Sequence, residues 1–141
     1  MALRRAMIEE RLKELDQILQ ELGKYRGITW EAFHASLSQQ WIIEGGLIAA
    51  ASMVFDVADH ILAGEFGMYA ETYEESLAAL HERGVISAEL YAEIRGLGGF
   101  RNILIHRYLR IDPQEVLNNY NKGLRVFPRF AAEVLAWLDR R

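Results

Sequence analysis

Apolar side chains recur at every third or fourth position along most of this chain, and this spacing limits the possible folds more than any other feature. The first such stripe consists of Ile8, Leu12, Leu15, Ile18 and Leu22. Steps of three and four place side chains on one face of an α-helix, whereas a strand requires alternation. Only 2 prolines occur in 141 residues. The sequence therefore predicts an all-α fold, an antiparallel helical bundle in a single domain over residues 1–141.

Local start and stop signals divide the chain into helices with short connections. Serine, threonine or aspartate before an apolar stripe predicts a helix start, and glycine after one predicts an end. These signals place helices at about residues 3–22, 30 onward, 39–62, 69–82, from Ser87 through the segment 101–108, and 113–138. Gly64 and Gly84 are expected to end the third and fourth helices, and Pro128 to kink or break the last.

The third predicted helix is apolar on nearly all sides. Its large apolar side chains are Trp41, Ile42, Ile43, Leu47, Ile48, Met53, Val54, Phe55, Val57 and Ile61. A helix without a polar face must be covered on both sides. Because the chain is short, we expect a second subunit to provide part of that cover.

Targeting signals are not expected in this sequence. The first twenty residues mix arginines with acidic residues and lack the apolar centre of a signal peptide. The longest apolar run, residues 45–55, contains Ser52 and is too short to span a bilayer. We therefore expect a cytoplasmic protein without membrane contact.

Several kinds of catalytic site are excluded or unsupported by the residues present. The chain has no cysteine, which excludes disulfides, thiolate catalysis and zinc–thiolate sites. It has no His-Glu-x-x-His motif and too few placeable ligands for a metal site. Neither a Gly-rich phosphate loop with a lysine nor a Gly-x-Ser-x-Gly motif occurs. No metal and no cofactor are therefore predicted.

The net charge of −4 is unevenly distributed. Residues 1–100 carry 8 Lys and Arg against 16 Asp and Glu, whereas residues 101–141 carry 8 against 4. An acidic protein binds nucleic acid poorly through charge alone. The basic C-terminal portion could still draw phosphate into a local cleft. The alternative is that these charges are scattered over solvated surfaces.

One helical segment combines apolar residues with an unusual set of polar ones: Arg101-Asn102-Ile103-Leu104-Ile105-His106-Arg107-Tyr108. Arg101 falls on an apolar stripe, between Leu97 and Leu104. A guanidinium on a buried stripe is costly unless it is paired or faces a wet cleft. This helix is therefore not expected to pack only against its own core.

The segment resembles the RNA-cleaving motif of the HEPN superfamily, and more specifically that of the HepT-type toxins of HEPN–MNT toxin–antitoxin pairs. That motif has an arginine, a polar residue, three further residues, a histidine, any residue and a tyrosine. Two other stretches also resemble the family: residues 55–62 its second signature helix, and residues 84–90 its linker into the motif helix. The resemblance covers most of the chain from about Trp41 onward.

The resemblance implies a HEPN-like bundle that dimerises through the motif helix and the apolar third helix. It implies a metal-independent endoribonuclease toxin with Arg101 and His106 as catalytic residues in a cleft at the dimer interface. Arg101 would bind the scissile phosphate, and His106 would act as general acid or base. Supporting or RNA-binding roles would fall to Asn102, Arg107, Arg110 and Asp56.

The resemblance also implies a protein partner, an MNT-type nucleotidyltransferase antitoxin. In the family this partner transfers AMP onto the tyrosine of the motif, here Tyr108, and silences the toxin. A bulky anion beside a phosphate-binding cleft would repel and block RNA.

The residues alone also allow plain structural roles. His106 could bridge two helices, Arg101 could form a salt bridge with Asp56, and Tyr108 could be a core or interface residue. Asp56 and His60 are four residues apart and therefore neighbours on one helix face. We favour a structural pair there, with an Asp56–Arg101 contact as the less favoured alternative.

Helix geometry raises a question about the motif. Residues five apart on an ideal helix differ in direction by roughly 140°. Arg101 and Tyr108 would then share a face while His106 points elsewhere. The length of the arginine, a distortion near Gly98 and Gly99, or a cleft built from two copies of the helix could each bring Arg101 and His106 together.

Two other functions remain open from the sequence. The chain could be a non-catalytic HEPN-like subunit that binds the nucleotide or substrate of a minimal nucleotidyltransferase. It could also be a helical dimer in which the motif only supports packing. The presence of both Arg101 and His106 favours the nuclease, because degenerate members would be expected to lack one of them.

Overall fold

The computed structural model describes residues 3–106 and 111–141. Within these ranges the chain forms seven helices and no strand: α1 (Arg5–Gly23), α2 (Trp30–Ala35), α3 (Leu37–Phe66), α4 (Tyr73–Glu82), α5 (Ala88–Ile94), α6 (Leu97–Ile105) and α7 (Pro113–Arg140). The predicted all-α fold is confirmed.

Helix α3 lies at the centre of the bundle and packs against α1, α2, α4, α6 and α7. Four of the five residues predicted for the α1 stripe are buried, and Ile18 is partly buried against the same core. Helix α7 contributes a long buried face of Val116, Leu117, Tyr120, Leu124, Phe127, Phe130 and Val134. Burial of these stripes is the main stabilising contribution, because apolar area removed from water drives folding.

The predicted end of α3 is wrong. Helix α3 continues past Gly64 and ends before Gly67, whose φ of 60° lies in the left-handed region that favours glycine. Gly64 has a packing role instead, since a Cβ there would lie 3.0 Å from the Cα of Leu3. Helix α7 continues through Pro128, so of the kink or break predicted there the break does not occur.

The predicted motif helix is two helices rather than one. Ser87 caps α5, as expected, by accepting a hydrogen bond from the backbone N–H of Leu90 at 3.1 Å. The helix then stops at Ile94, and Gly96 has a φ of 92°. A new helix, α6, starts at Leu97 and carries the motif residues through Ile105. A distortion near Gly98 and Gly99 was one of three possibilities considered for the motif, and the observed break lies just before these glycines and before both Arg101 and His106.

Helix α3 meets the length and composition of a membrane-spanning segment, with a mean hydropathy of 1.6 over its most apolar window. Half of that window is buried by the other helices, as in a central core helix. At the N-terminal end of α3, Leu37, Trp41 and Ile42 are 57%, 55% and 50% exposed. The exposed large apolar side chains of α3 are confined to this end of the helix.

Candidate functional site

Helix α6 carries the first part of the motif, residues 101–105, and a residue from another helix caps its first turn. Its own N-cap residue, Gly96, has no side chain. The carboxylate of Glu74 in α4 instead accepts hydrogen bonds from the backbone N–H groups of Gly96, at 3.0 Å, and Gly98, at 3.1 Å. A carboxylate there satisfies otherwise unpaired N–H groups and is attracted by the positive end of the helix dipole.

Arg101 is held between α3 and α4. Its Nε donates a hydrogen bond to the Ser52 hydroxyl at 3.2 Å, and its Cζ lies 5.0 Å from the centre of the Tyr73 ring. The Ser52 hydroxyl itself donates to the carbonyl of Ile48 at 2.8 Å. Within the part of the chain that the structure describes, no carboxylate pairs with Arg101. The guanidinium is thus oriented by neutral groups that leave its charge available to an anion.

The structure corrects the suggested contact between Asp56 and Arg101. Asp56 pairs with Arg11 of α1, with Nε and Oδ2 2.5 Å apart, and lies 3.7 Å from the imidazole of His60. The hydrogen bond and charge of Asp56 raise the pKa of Arg11 above its ordinary value. Asp56 and His60 are thus neighbours on α3, and Asp56 also joins α3 to α1. Across residues 3–106 and 111–141, no group of three or more His, Asp or Glu side chains could hold a metal ion.

His106 is the residue immediately after α6. Its N–H still donates to the carbonyl of Asn102 at 3.0 Å, but its φ of −92° and ψ of 50° are not helical. Because the N–H of His106 is still bonded within the helix, its Cα–Cβ bond stays close to the offset of roughly 140° from Arg101, and the chain leaves the helix only beyond its Cα. His106 is exposed at the surface.

Asn102 lines a cleft with a volume of about 570 Å³ beside the start of α6. The polar and charged side chains of this cleft are Asp59, Glu71, Thr72, Tyr73, Glu74 and Asn102. Because three of these are carboxylates, a phosphate entering the cleft would meet like charge. Arg101 contacts the neutral side chains of Ser52 and Tyr73, and Tyr73 also lines this cleft.

Three residues named from the sequence, Arg107, Tyr108 and Arg110, lie outside the described residues.

A match to a family model places this chain among known proteins. The model described as Ribonuclease HepT-like matches residues 8–134. The chain belongs to this family. The family agrees with the resemblance seen in the sequence. The matched residues include nearly all of the described helices.

A family relative and two solved structures show the extent of the similarity. The tRNA nuclease HepT of Aphanizomenon flos-aquae is 29% identical over 132 residues, covering 94% of this chain and 90% of the relative. The tri-AMPylated HEPN toxin of Shewanella oneidensis, solved in complex with MNT antitoxin, superposes with a TM-score of 0.84 at 18% identity, covering 94% of this chain and 99% of that one. A cytosolic protein of unknown function from Bacillus subtilis, YutE, gives 0.81 at 17% identity, covering 99% and 94%.

Three residues that surround the motif were missed by the sequence analysis: Ser52, Tyr73 and Glu74. Ser52 was visible only as a polar interruption of the apolar run in the third helix. Tyr73 and Glu74 lie in the first turn of α4. An acidic residue there, such as Glu74, is ordinarily explained by its attraction to the positive end of the dipole of its own helix.

Proposed function

We propose that this chain is an endoribonuclease toxin that cleaves tRNA without a metal ion, with Arg101 and His106 as its catalytic residues. The observation that carries the proposal is the environment of Arg101. In a HepT-like chain, at the position of the family's motif arginine, the guanidinium is ordered by Ser52 and Tyr73 and has no described carboxylate partner. The choice of tRNA follows the activity named for the Aphanizomenon relative.

Cleavage would use the 2′-hydroxyl of the RNA as nucleophile. Arg101 would bind the scissile phosphate and stabilise the negative charge that builds on it in the transition state. His106 would either remove the 2′-hydroxyl proton or protonate the leaving 5′-oxygen, the two roles that an imidazole can take in this reaction, and water would exchange the other proton. The 2′-oxygen–phosphorus bond forms as the bond to the 5′-oxygen breaks. The products are a cyclic phosphate and a 5′-hydroxyl.

Other motif residues would bind RNA around this centre. Arg107 and Arg110 would neutralise flanking phosphates. The carboxylates beside Asn102 make its cleft unsuited to a phosphate, so Asn102 would instead bond a ribose hydroxyl or a base edge.

The nuclease is tested by incubating purified protein with a defined tRNA in EDTA and identifying the new ends. We expect cleavage that leaves cyclic-phosphate ends. If the protein does not cleave while its mass shows Tyr108 unmodified, the nuclease proposal fails, and the non-catalytic subunit of a nucleotidyltransferase becomes the better explanation.

A homodimer would form the catalytic cleft, with Arg101 and His106 contributed by each copy. On α3, residues separated by seven and eleven positions share a face, which places the exposed Trp41 in line with Ile48 and Ser52, the residue that contacts Arg101. Ile103 and Ile105 of α6 are 44% and 40% exposed. An apolar surface that leads directly to the arginine fits an interface at which two copies of the motif meet.

Trp41→Glu is expected to convert the dimer to a monomer, because a carboxylate would have to be buried at the interface. Sedimentation velocity checks this directly. Tyr69→Glu is the matched control, since Tyr69 is 77% exposed and lies outside the helices. If the Trp41→Glu protein remains dimeric, α3 does not form part of the dimer interface.

The partner would be an MNT-type nucleotidyltransferase antitoxin acting on Tyr108 in the cytoplasm, as the Shewanella complex and its tri-AMPylated toxin suggest. With this partner and ATP, the mass of the chain should rise by one or more AMP units, and Tyr108→Phe should prevent the increase. An equal mass gain by Tyr108→Phe would place the modification on another residue.

A further inference from the structure

We propose that Tyr73 and Glu74, two adjacent residues in the first turn of α4, are positioning residues of the nuclease. They hold helix α6 and the Arg101 guanidinium in the orientation that the scissile phosphate requires. The expected effect on cleavage rests on the proposed function. The contacts themselves can be tested without measuring activity.

Glu74 determines where α6 begins. Helix α6 has nine residues, and no side chain of its own caps its N-terminus. Both oxygens of the Glu74 carboxylate accept from the Gly96 N–H, and Oε1 also accepts from the Gly98 N–H. These bonds join α4 to the start of the motif helix across 22 and 24 residues of sequence.

Tyr73 acts on the same helix at two points. Its Cβ would lie 2.7 Å from a Cβ added at Gly98, so the backbone of α6 approaches α4 as closely as a glycine allows. Its ring covers one face of the Arg101 guanidinium and stacks on Phe55 of α3, with ring centres 4.3 Å apart. The stacked Phe55 limits where the Tyr73 ring can move.

Together these contacts leave Arg101 little freedom. The N-terminus of α6 is bound to Glu74, Nε is bound to Ser52, and the guanidinium face is covered by Tyr73. A long side chain that is ordered before substrate binds loses less conformational freedom in the transition state. The pre-ordered guanidinium should therefore contribute to the rate of cleavage more than to RNA affinity.

The first experiment compares tRNA cleavage by Tyr73→Phe, Tyr73→Leu, Glu74→Gln and the native protein. Tyr73→Phe keeps the ring and should cleave at the native rate. Tyr73→Leu and Glu74→Gln should lower kcat by about 10- to 100-fold with little change in KM, since a misplaced group costs this much. Glu75→Gln is the matched control, because Glu75 accepts from the N–H of Glu71 within the α4 cap, at 2.9 Å, rather than from α6.

The second experiment does not need activity. The Nε–Hε signal of Arg101 in ¹⁵N-edited NMR should be resolved and slow to exchange with solvent in the native protein. It should exchange rapidly in Tyr73→Leu and in Ser52→Ala, a small change that should preserve the fold. Addition of guanidinium ion should also restore part of the cleavage by Arg101→Ala, but not by Arg101→Ala combined with Tyr73→Leu.

The outcomes separate the two proposals. If the native protein cleaves and both Tyr73→Leu and Glu74→Gln cleave equally well, the positioning roles are wrong. If Glu75→Gln loses as much kcat as Glu74→Gln, the effect is general destabilisation of α4 and the specific role is again overturned. If the native protein does not cleave at all, the nuclease proposal fails, and the Arg101 signal alone decides whether Tyr73 orders the guanidinium.

Discussion

Replacing His106 or Arg101 by alanine should reduce tRNA cleavage by at least about 100-fold, with each variant still folded. His106→Ala removes the group that would transfer a proton to or from the reacting oxygens. Arg101→Ala removes the charge and the planar donors that would stabilise the phosphate in the transition state. The rate should be measured under single-turnover conditions in EDTA, with circular dichroism to verify the fold.

Matched controls separate catalytic loss from loss of a surface charge or ring. His34→Ala removes an exposed histidine whose ring lies 4.9 Å from that of Trp30. Arg125→Ala removes an arginine of α7 that pairs with Glu93 at 2.9 Å. Both should cleave at close to the native rate. Arg101→Lys should recover little, because lysine offers a point charge without the planar fork. Full cleavage by purified His106→Ala would exclude His106 from the chemistry.

Gly98→Ala should destabilise the protein by about 1–3 kcal/mol, because the new methyl group overpacks the junction of α4 and α6. Its Cβ would be 2.7 Å from the Cβ of Tyr73 and 3.3 Å from Oε1 of Glu74. The first of these atoms is attached directly to the α4 backbone, so the helices must separate. Urea unfolding gives the change in the free energy of unfolding.

The neighbouring glycine provides the control for this prediction. A Cβ at Gly99 meets nothing within 4 Å, so Gly99→Ala should be neutral or stabilise by up to about 1 kcal/mol through helix propensity alone. If the two substitutions destabilise the protein equally, the close approach of α4 is not the reason that position 98 requires a glycine. Cleavage by Gly98→Ala should fall as well, since a displaced α6 carries Arg101 with it.

Much of the fold could be predicted because its signals are local. The stripe from Ile8 to Leu22 predicted α1, and Thr29 predicted the start of α2, where its hydroxyl accepts from the N–H of Ala32 at 3.1 Å. Asp112 before Pro113 predicted the start of α7 in the same way, and its carboxylate accepts from the N–H of Gln114 at 2.9 Å. Capping and periodicity act over a few residues, so the sequence shows them directly.

The predictions that were wrong involve competition between local and tertiary effects. Gly64 was expected to end α3, but helix α3 continues because its next turn still buries apolar surface, with Phe66 packed against Trp137. The motif helix was expected to be continuous, yet it breaks at Gly96, where Glu74 of another helix caps the new start. Asp56 was considered as a partner of Arg101 but pairs with Arg11, because α1 lies beside that turn of α3.

The sequence by itself determined the helical class, most of the helix starts and the pattern of Arg101, Asn102 and His106 that identifies the family. Only the tertiary structure decided how that pattern is held. It places Ser52 and Tyr73 around the arginine, Glu74 at the start of α6, and the residue His106 just beyond the end of that helix. The physical reason is the range over which each interaction acts. Caps and stripes depend on neighbours within a few residues, whereas these contacts join residues 22 to 49 positions apart in sequence and depend on how the helices pack.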